Sequence, residues 1–178
     1  QSLAEESYKK AVKTKEESLD SKYQLQAKID EVNSILGRIE KYNYQSYAGQ
    51  KYTVAKDKVK QASAYYSNDN LKAGFETVEI AKINADEAYK STMNGVSSSK
   101  IADAEKAVAE AEKSDGAAYA EEDLAAAKEA VDNAKRMRNN GNYDESITYS
   151  NEAIRLANSV IEEGNKAAIA AKVKSQAE

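Results

Sequence analysis

The 178-residue chain has no proline, cysteine, tryptophan or histidine, and phenylalanine occurs once, at Phe75. Each absence excludes something. Without proline nothing forces a break into a long helix, and glycine, at 7 residues, is scarce. Without cysteine there is neither a disulfide nor a thiolate nucleophile, which fits a cytoplasmic protein or an envelope protein that does without disulfides. Without histidine and cysteine, zinc, copper and haem lose their usual ligands, and a histidine-based triad cannot be built. The expectation is a chain with no cofactor and no metal that is not an enzyme. No run approaches the roughly 18 apolar residues of a membrane span. The chain opens at Gln1 with no basic-plus-apolar leader, which reads as a processed or truncated product whose signal or lipid anchor would lie upstream.

The charge is nearly balanced: 26 basic against 30 acidic side chains, a net charge of −4, offer no nucleic-acid footprint. Hydrophobic residues make up 41% of the chain, enough for a core if they are patterned, but a mean hydropathy of −0.78 makes that core thin.

The pattern is periodic. Offset by 72 residues, "YAGQKYTVAKDKVKQASAYYSNDN" (47–70) aligns without a gap on "YAEEDLAAAKEAVDNAKRMRNNGN" (119–142). Tyr47 falls on Tyr119, Ala55 on Ala127, Lys56 on Lys128, Val59 on Val131, Ala62 on Ala134 and Asn70 on Asn142. Ile29 and Glu40 fall on Ile101 and Glu112 upstream, and Ala81 and Ala85 on Ala153 and Ala157 downstream. Loop positions match as well as helical ones, which marks tandem helical units.

Each unit reads as three amphipathic helices. In the second, Ile101, Ala104, Val108 and Ala111 line the first helix. Leu124, Ala127, Val131 and Ala134 line the next, and Ile147, Ala153, Ile154, Ala157 and Val160 the last. "NGNYDE" supplies Gly141 to end one helix and Asn142, with Glu145 three residues on, to cap the next. "NDNLKA" is its counterpart. "NGVSSS" (94–99) is expected to separate the two units, with Ser99 as the cap. The predicted fold is all-α: an up-and-down antiparallel bundle of six or seven helices, comprising a leading helix (1–25), a three-helix unit (26–97) and a second (98–178). The "DSK" at 20–22 is only a weak break, so the leading helix can also run unbroken into the next.

"GNYDESITYSNEAI" (141–154) resembles the second helix of a tetratricopeptide repeat at Gly141, Tyr143, Ile147, Ala153 and Ile154. Ser146 and Ser150 depart from that family, which prefers alanine and an aromatic there, and 72 residues is not its period. Over roughly residues 26–165 the chain also resembles the α-helical repeat domains of bacterial envelope lipoproteins, including those of spirochaetes. Tyr119, Ala120, Leu124, Ala127, Val131, Ala134, Gly141, Tyr143 and Ala153 carry that likeness. It implies an extracytoplasmic interaction domain in the periplasm or at the cell surface, touching a membrane only through an upstream lipid anchor.

Adjacent carboxylates such as Glu121 and Glu122 are plentiful, but neighbours on a helix do not face one another and read as solvated charge. "SNDNLKAGFE" (67–76) lacks the central glycine and the twelfth-position glutamate of an EF-hand. Tyrosine is the remaining oddity, since it offers contact area and a hydroxyl at small entropic cost. Tyr42, Tyr44 and Tyr47, gathered at one inter-helix loop, are the candidate partner-binding residues. The expected function is a non-enzymatic protein-interaction or scaffolding domain of the bacterial envelope, with a protein or peptide partner and no nucleic acid. The alternatives are a surface adhesin that binds a host factor and a carrier of small apolar ligands between its helices.

Overall fold

A computed structural model describes residues 2–176, which form five α-helices and one 3-10 turn, with no strand among them. They are α1 (Ser2–Ile39), α2 (Gln45–Ser67), α3 (Leu71–Glu112), the 3-10 turn (Asp115–Ala118), α4 (Glu121–Asn139) and α5 (Tyr143–Gln176). The chain divides into two compact units with the boundary between Thr92 and Met93.

In the first unit Leu25, Ile29, Val32, Leu36 and Ile39 of α1 pack with Tyr52, Ala55, Val59 and Ala62 of α2 and Val78, Ala81, Ala85 and Ala88 of α3. Spacings of three and four put each set on one helix face. Polar contacts fix the directions. Lys28–Glu79, Glu31–Lys82 and Arg38–Tyr89 all join residues 51 apart, so α1 and α3 run parallel. Glu40–Lys56 and the Lys22 ammonium over the Tyr66 ring join opposite ends of α1 and α2, which are therefore antiparallel. The order is up-down-up.

The second unit repeats that order. Ala104, Val108 and Ala111 of α3 pack with Ala127, Ala130 and Val131 of α4 and with Ala153, Ala157 and Val160 of α5. Lys135–Glu105 and Lys128–Glu112 set α3 and α4 antiparallel. Alanine at so many contacts allows helix axes to approach to about 8 Å, the short end of the usual range. The closest approach is glycine on glycine: a Cβ on Gly164 would stand 2.7 Å from the Gly116 Cα, so α5 rests directly on the backbone of the 3-10 turn.

The polar residues that break the tetratricopeptide pattern are built into this core. Ser146, fully buried, donates its hydroxyl to the Ala134 carbonyl (2.7 Å) and accepts from Ser97 (2.6 Å), joining α5 to α4 and α3. Ser150, also fully buried, donates to the Ser146 carbonyl (2.9 Å). Helices this close leave no room for an aromatic at 150.

Two expectations need correction. The "NGVSSS" stretch is not a boundary, because α3 runs through it and Ser99 caps nothing. No residue there terminates a helix: proline is absent, Gly95 costs a helix only about 1 kcal/mol, and the fully buried Ser97 holds the segment through Ser146. One helix therefore stands where two were expected, and with α1 continuous as well the described residues hold five α-helices. Of the two readings of "DSK", the unbroken one holds, since α1 is continuous through it.

The two hairpin corners share one geometry. Asn142 N–H donates to the Met137 carbonyl and Gly141 N–H to that of Arg138, while Asn70 and Asp69 N–H donate to Tyr65 and Tyr66. Both are Schellman closures, whose residue after the cap takes a left-handed conformation. Gly141 does so at φ 80° and Asp69 at φ 57°. Asp69→Gly removes the side-chain penalty of that conformation, roughly 1 kcal/mol, and loses an exposed, solvent-screened ion pair with Lys22. Chemical denaturation should find the variant slightly more stable than the parent, and Gly141→Asp less stable by about 1 kcal/mol; a stabilised Gly141→Asp would contradict the closure.

Candidate partner-binding surface

The three tyrosines singled out at the first loop differ in their surroundings. Tyr44 occupies the cap position of α2 and turns inward, its ring centroid 4.1 Å from that of Tyr52. Tyr42 is half-buried, with its N–H bonded to the Ile39 carbonyl. Tyr47 alone is exposed, at 39%. Aromatic stacking at the end of the unit holds Tyr44, and a non-helical Ala48 (φ −153°) angles the chain behind it into α2.

Beside this loop lies a cluster of titratable groups. Tyr52 donates its hydroxyl to the Glu40 carboxylate, and Lys56 donates to the Tyr52 oxygen (3.1 Å) and to Glu40 (3.4 Å). The hydrogen bond from Tyr52 holds the Glu40 carboxyl below its ordinary range. Burial, reinforced by Glu40, pushes the Tyr52 phenol up. The hydrogen bond to Tyr52 raises Lys56. All three groups are thus moved away from neutrality, the opposite of what proton transfer at physiological pH asks for. Among the described residues no group of three or more acidic side chains is placed to hold a metal ion, and no helix is long and apolar enough to cross a membrane.

A second surface is the first half of α1, where Leu3, Tyr8, Ala11, Val12 and Leu19 have helical spacing in the sequence. Every described residue from Ser2 to Asp20 is exposed. Within that stretch and just beyond it, Tyr8, Val12, Leu19 and Tyr23 are 71%, 37%, 52% and 67% exposed. At 3.6 residues per turn they fall within about 60° of arc along about 22 Å of helix. Their spacing is an exact 11-residue repeat, Tyr8 to Leu19 and Val12 to Tyr23. An 11-residue period keeps an apolar stripe nearly straight along an α-helix. The stripe lies off the side of α1 that carries Leu25 and Ile29, so it is not the core face continued.

Comparison with protein-family models, with curated proteins and with solved structures finds no match to this chain.

Proposed function

We propose that the chain is a non-enzymatic protein-interaction or scaffolding domain of the bacterial envelope. Two three-helix units of 72-residue period carry a free helix whose apolar stripe docks a partner helix. The unpartnered stripe Tyr8, Val12, Leu19 and Tyr23 carries this reading. Large apolar side chains repeated along one line of a helix bury area only when another element lies on them. The 11-residue period favours a long helix lying nearly parallel to α1 over a globular surface.

The repeat is supported by contacts that recur at the offset. Glu40–Lys56 falls on Glu112–Lys128. Lys22 with Tyr66 falls on Asn94 with Arg138. Lys51–Glu87 falls on Asp123–Ser159, and the Leu25–Gly74 contact on Ser97–Ser146. Side-chain chemistry changes at each place while the pairing persists, as expected of diverged copies of one supersecondary unit. The envelope assignment rests on the Tyr-Ala and Gly-x-Tyr resemblance with its cysteine-free composition.

A photo-crosslinking residue at Val12 in the full chain, compared in source cells with one at the exposed Ala102, tests the reading. The expectation is one discrete adduct from position 12 only, lost when Tyr8→Ser and Leu19→Ser are added while circular dichroism stays unchanged. Equal background from both positions would refute docking on the stripe and leave a spacer.

A further inference from the structure

In α3 the buried residues Val78, Ala81, Ala85, Ala88 and Thr92 give way to Ser97, Ile101, Ala104 and Val108, a step of five from Thr92 to Ser97 with the buried Met93 at the changeover. Steps of three and four keep a stripe on one face, whereas a step of five carries it about 140° around the helix. The earlier stripe belongs to a third helix and the later one to a first helix.

The same sequence of events begins in α5. Ser150, Ala153, Ala157, Val160 and Gly164 are buried, and each lies 72 residues beyond its counterpart in α3. After the same gap of five come Ile169 and Val173, but these are 64% and 62% exposed. Their counterparts are Leu25 and Ile29 in α1, at 0% and 3%, and Ser97 and Ile101 in α3, at 0% and 7%. Lys172 falls on Lys100 and Lys28. Run upstream, the comparison fails: the counterparts of the third-helix stripe in α1 are Glu6, Lys9, Lys13, Glu16 and Asp20, all charged. The start of α1 therefore carries no third-helix stripe, whereas the last turns of α5 carry the beginning of a first-helix one.

We propose that the last turns of α5, from Lys166 onward, open the first helix of a further three-helix unit, and that the Ile169–Val173 face docks an antiparallel helical hairpin of the same repeat chemistry. This rests on the 72-residue reading above. What covers Leu25 and Ile29 in the first unit specifies the partner. Leu25 sits on Gly74, where an added Cβ would stand 2.5 Å from the Leu25 Cδ2, and the alanines and valines of α2 and α3 complete the cover. A hairpin fitting α5 presents glycine or another small residue to Ile169, and an alanine ladder beyond it.

Gln176 falls on Val32, so the chain through Gln176 continued by a second copy of residues 33–92 places such a hairpin in register. Hydrogen exchange at Ile169 and Val173 should slow by about 100-fold or more relative to the parent chain. Adding Ile169→Asp and Val173→Asp should abolish that slowing and leave α4 protected. Slow exchange in the added helices with none gained at 169 and 173 overturns the proposal, and so does indifference to the aspartates. Added helices that stay fast also overturn it, because a first helix of this type is what residues 45–92 fold against in the first unit. Exchanging Ser97 and Ser146 for the first unit's pair probes the repeat within the second unit alone. Coupling there, together with an unprotected α5 end, refutes the docking face and leaves the repeat standing.

Discussion

Gly116→Ala should destabilise the second unit by about 3 kcal/mol. The methyl group has nowhere to go: at Gly116 a Cβ would meet the Val160 carbonyl, with the carbonyl carbon at 2.7 Å and the Gly164 nitrogen at 3.0 Å. These are backbone atoms of a long helix and cannot rotate aside. To admit the methyl, α5 must lift off the 3-10 turn, opening contacts around the fully buried Val160. Overpacking of this kind costs roughly 1–3 kcal/mol and more where the obstacle is rigid. The opposing gain, the smaller unfolded-state entropy of alanine, is at most about 1 kcal/mol. Gly164→Ala should behave alike, since its Cβ would strike the Gly116 backbone from the other side. The control is Gly37→Ala in α1, where nothing lies within 4 Å of the added Cβ. That variant should gain up to about 1 kcal/mol from helix propensity. Hydrogen exchange at α4 and α5 amides separates the cases. A Gly116→Ala protein as protected as the parent would show that the turn and α5 do not touch as described.

Much of this fold is legible in the sequence. Three- and four-residue spacing identified the core faces, and of the core positions read in the second unit, Ala127, Val131, Ala134, Ala153, Ala157 and Val160 are all buried. The corner at Gly141 was legible because one residue type answers one backbone requirement, φ 80°. Helix continuity was not. Gly95 with three serines resembles a linker, and what keeps the helix intact is a tertiary bond between Ser97 and Ser146, 49 residues apart. The orientation of the loop tyrosines was not legible for a related reason. Clustering in sequence said nothing of direction, and the stacking of Tyr44 on Tyr52 turned one candidate inward. The stripe on α1 was visible in principle, because Tyr8, Val12, Leu19 and Tyr23 need only the 11-residue period. Their exposure had to come from the structure, since the same residues on a packed helix would have been core.

The Ser97–Ser146 pair bears on the relation between the two units most directly. Where the first unit sets a large residue against none, Leu25 on Gly74, the second sets two small hydroxyls against each other. Ser97→Leu alone drives a leucine onto the Ser146 Cβ, the clash that Gly74 avoids for Leu25, and should cost about 2–3 kcal/mol. Ser146→Gly alone removes the acceptor of the buried Ser97 hydroxyl and its own bond to Ala134, and places glycine inside a helix. That sum is also about 2–3 kcal/mol. Together the two substitutions recreate the first unit's solution: the leucine occupies the space the glycine vacates, and no hydroxyl is left without a partner. The double variant should lie within about 1–2 kcal/mol of the parent, a coupling of about 3 kcal/mol between residues in contact. A full double-mutant cycle by chemical denaturation measures it. Additive penalties would mean that α3 and α5 approach differently from α1 and α3, and would remove the strongest structural support for a 72-residue unit. Full coupling would show that the two units solve one packing problem with two chemistries, as a duplicated hairpin-and-helix does when each copy diverges under the constraint of a shared backbone.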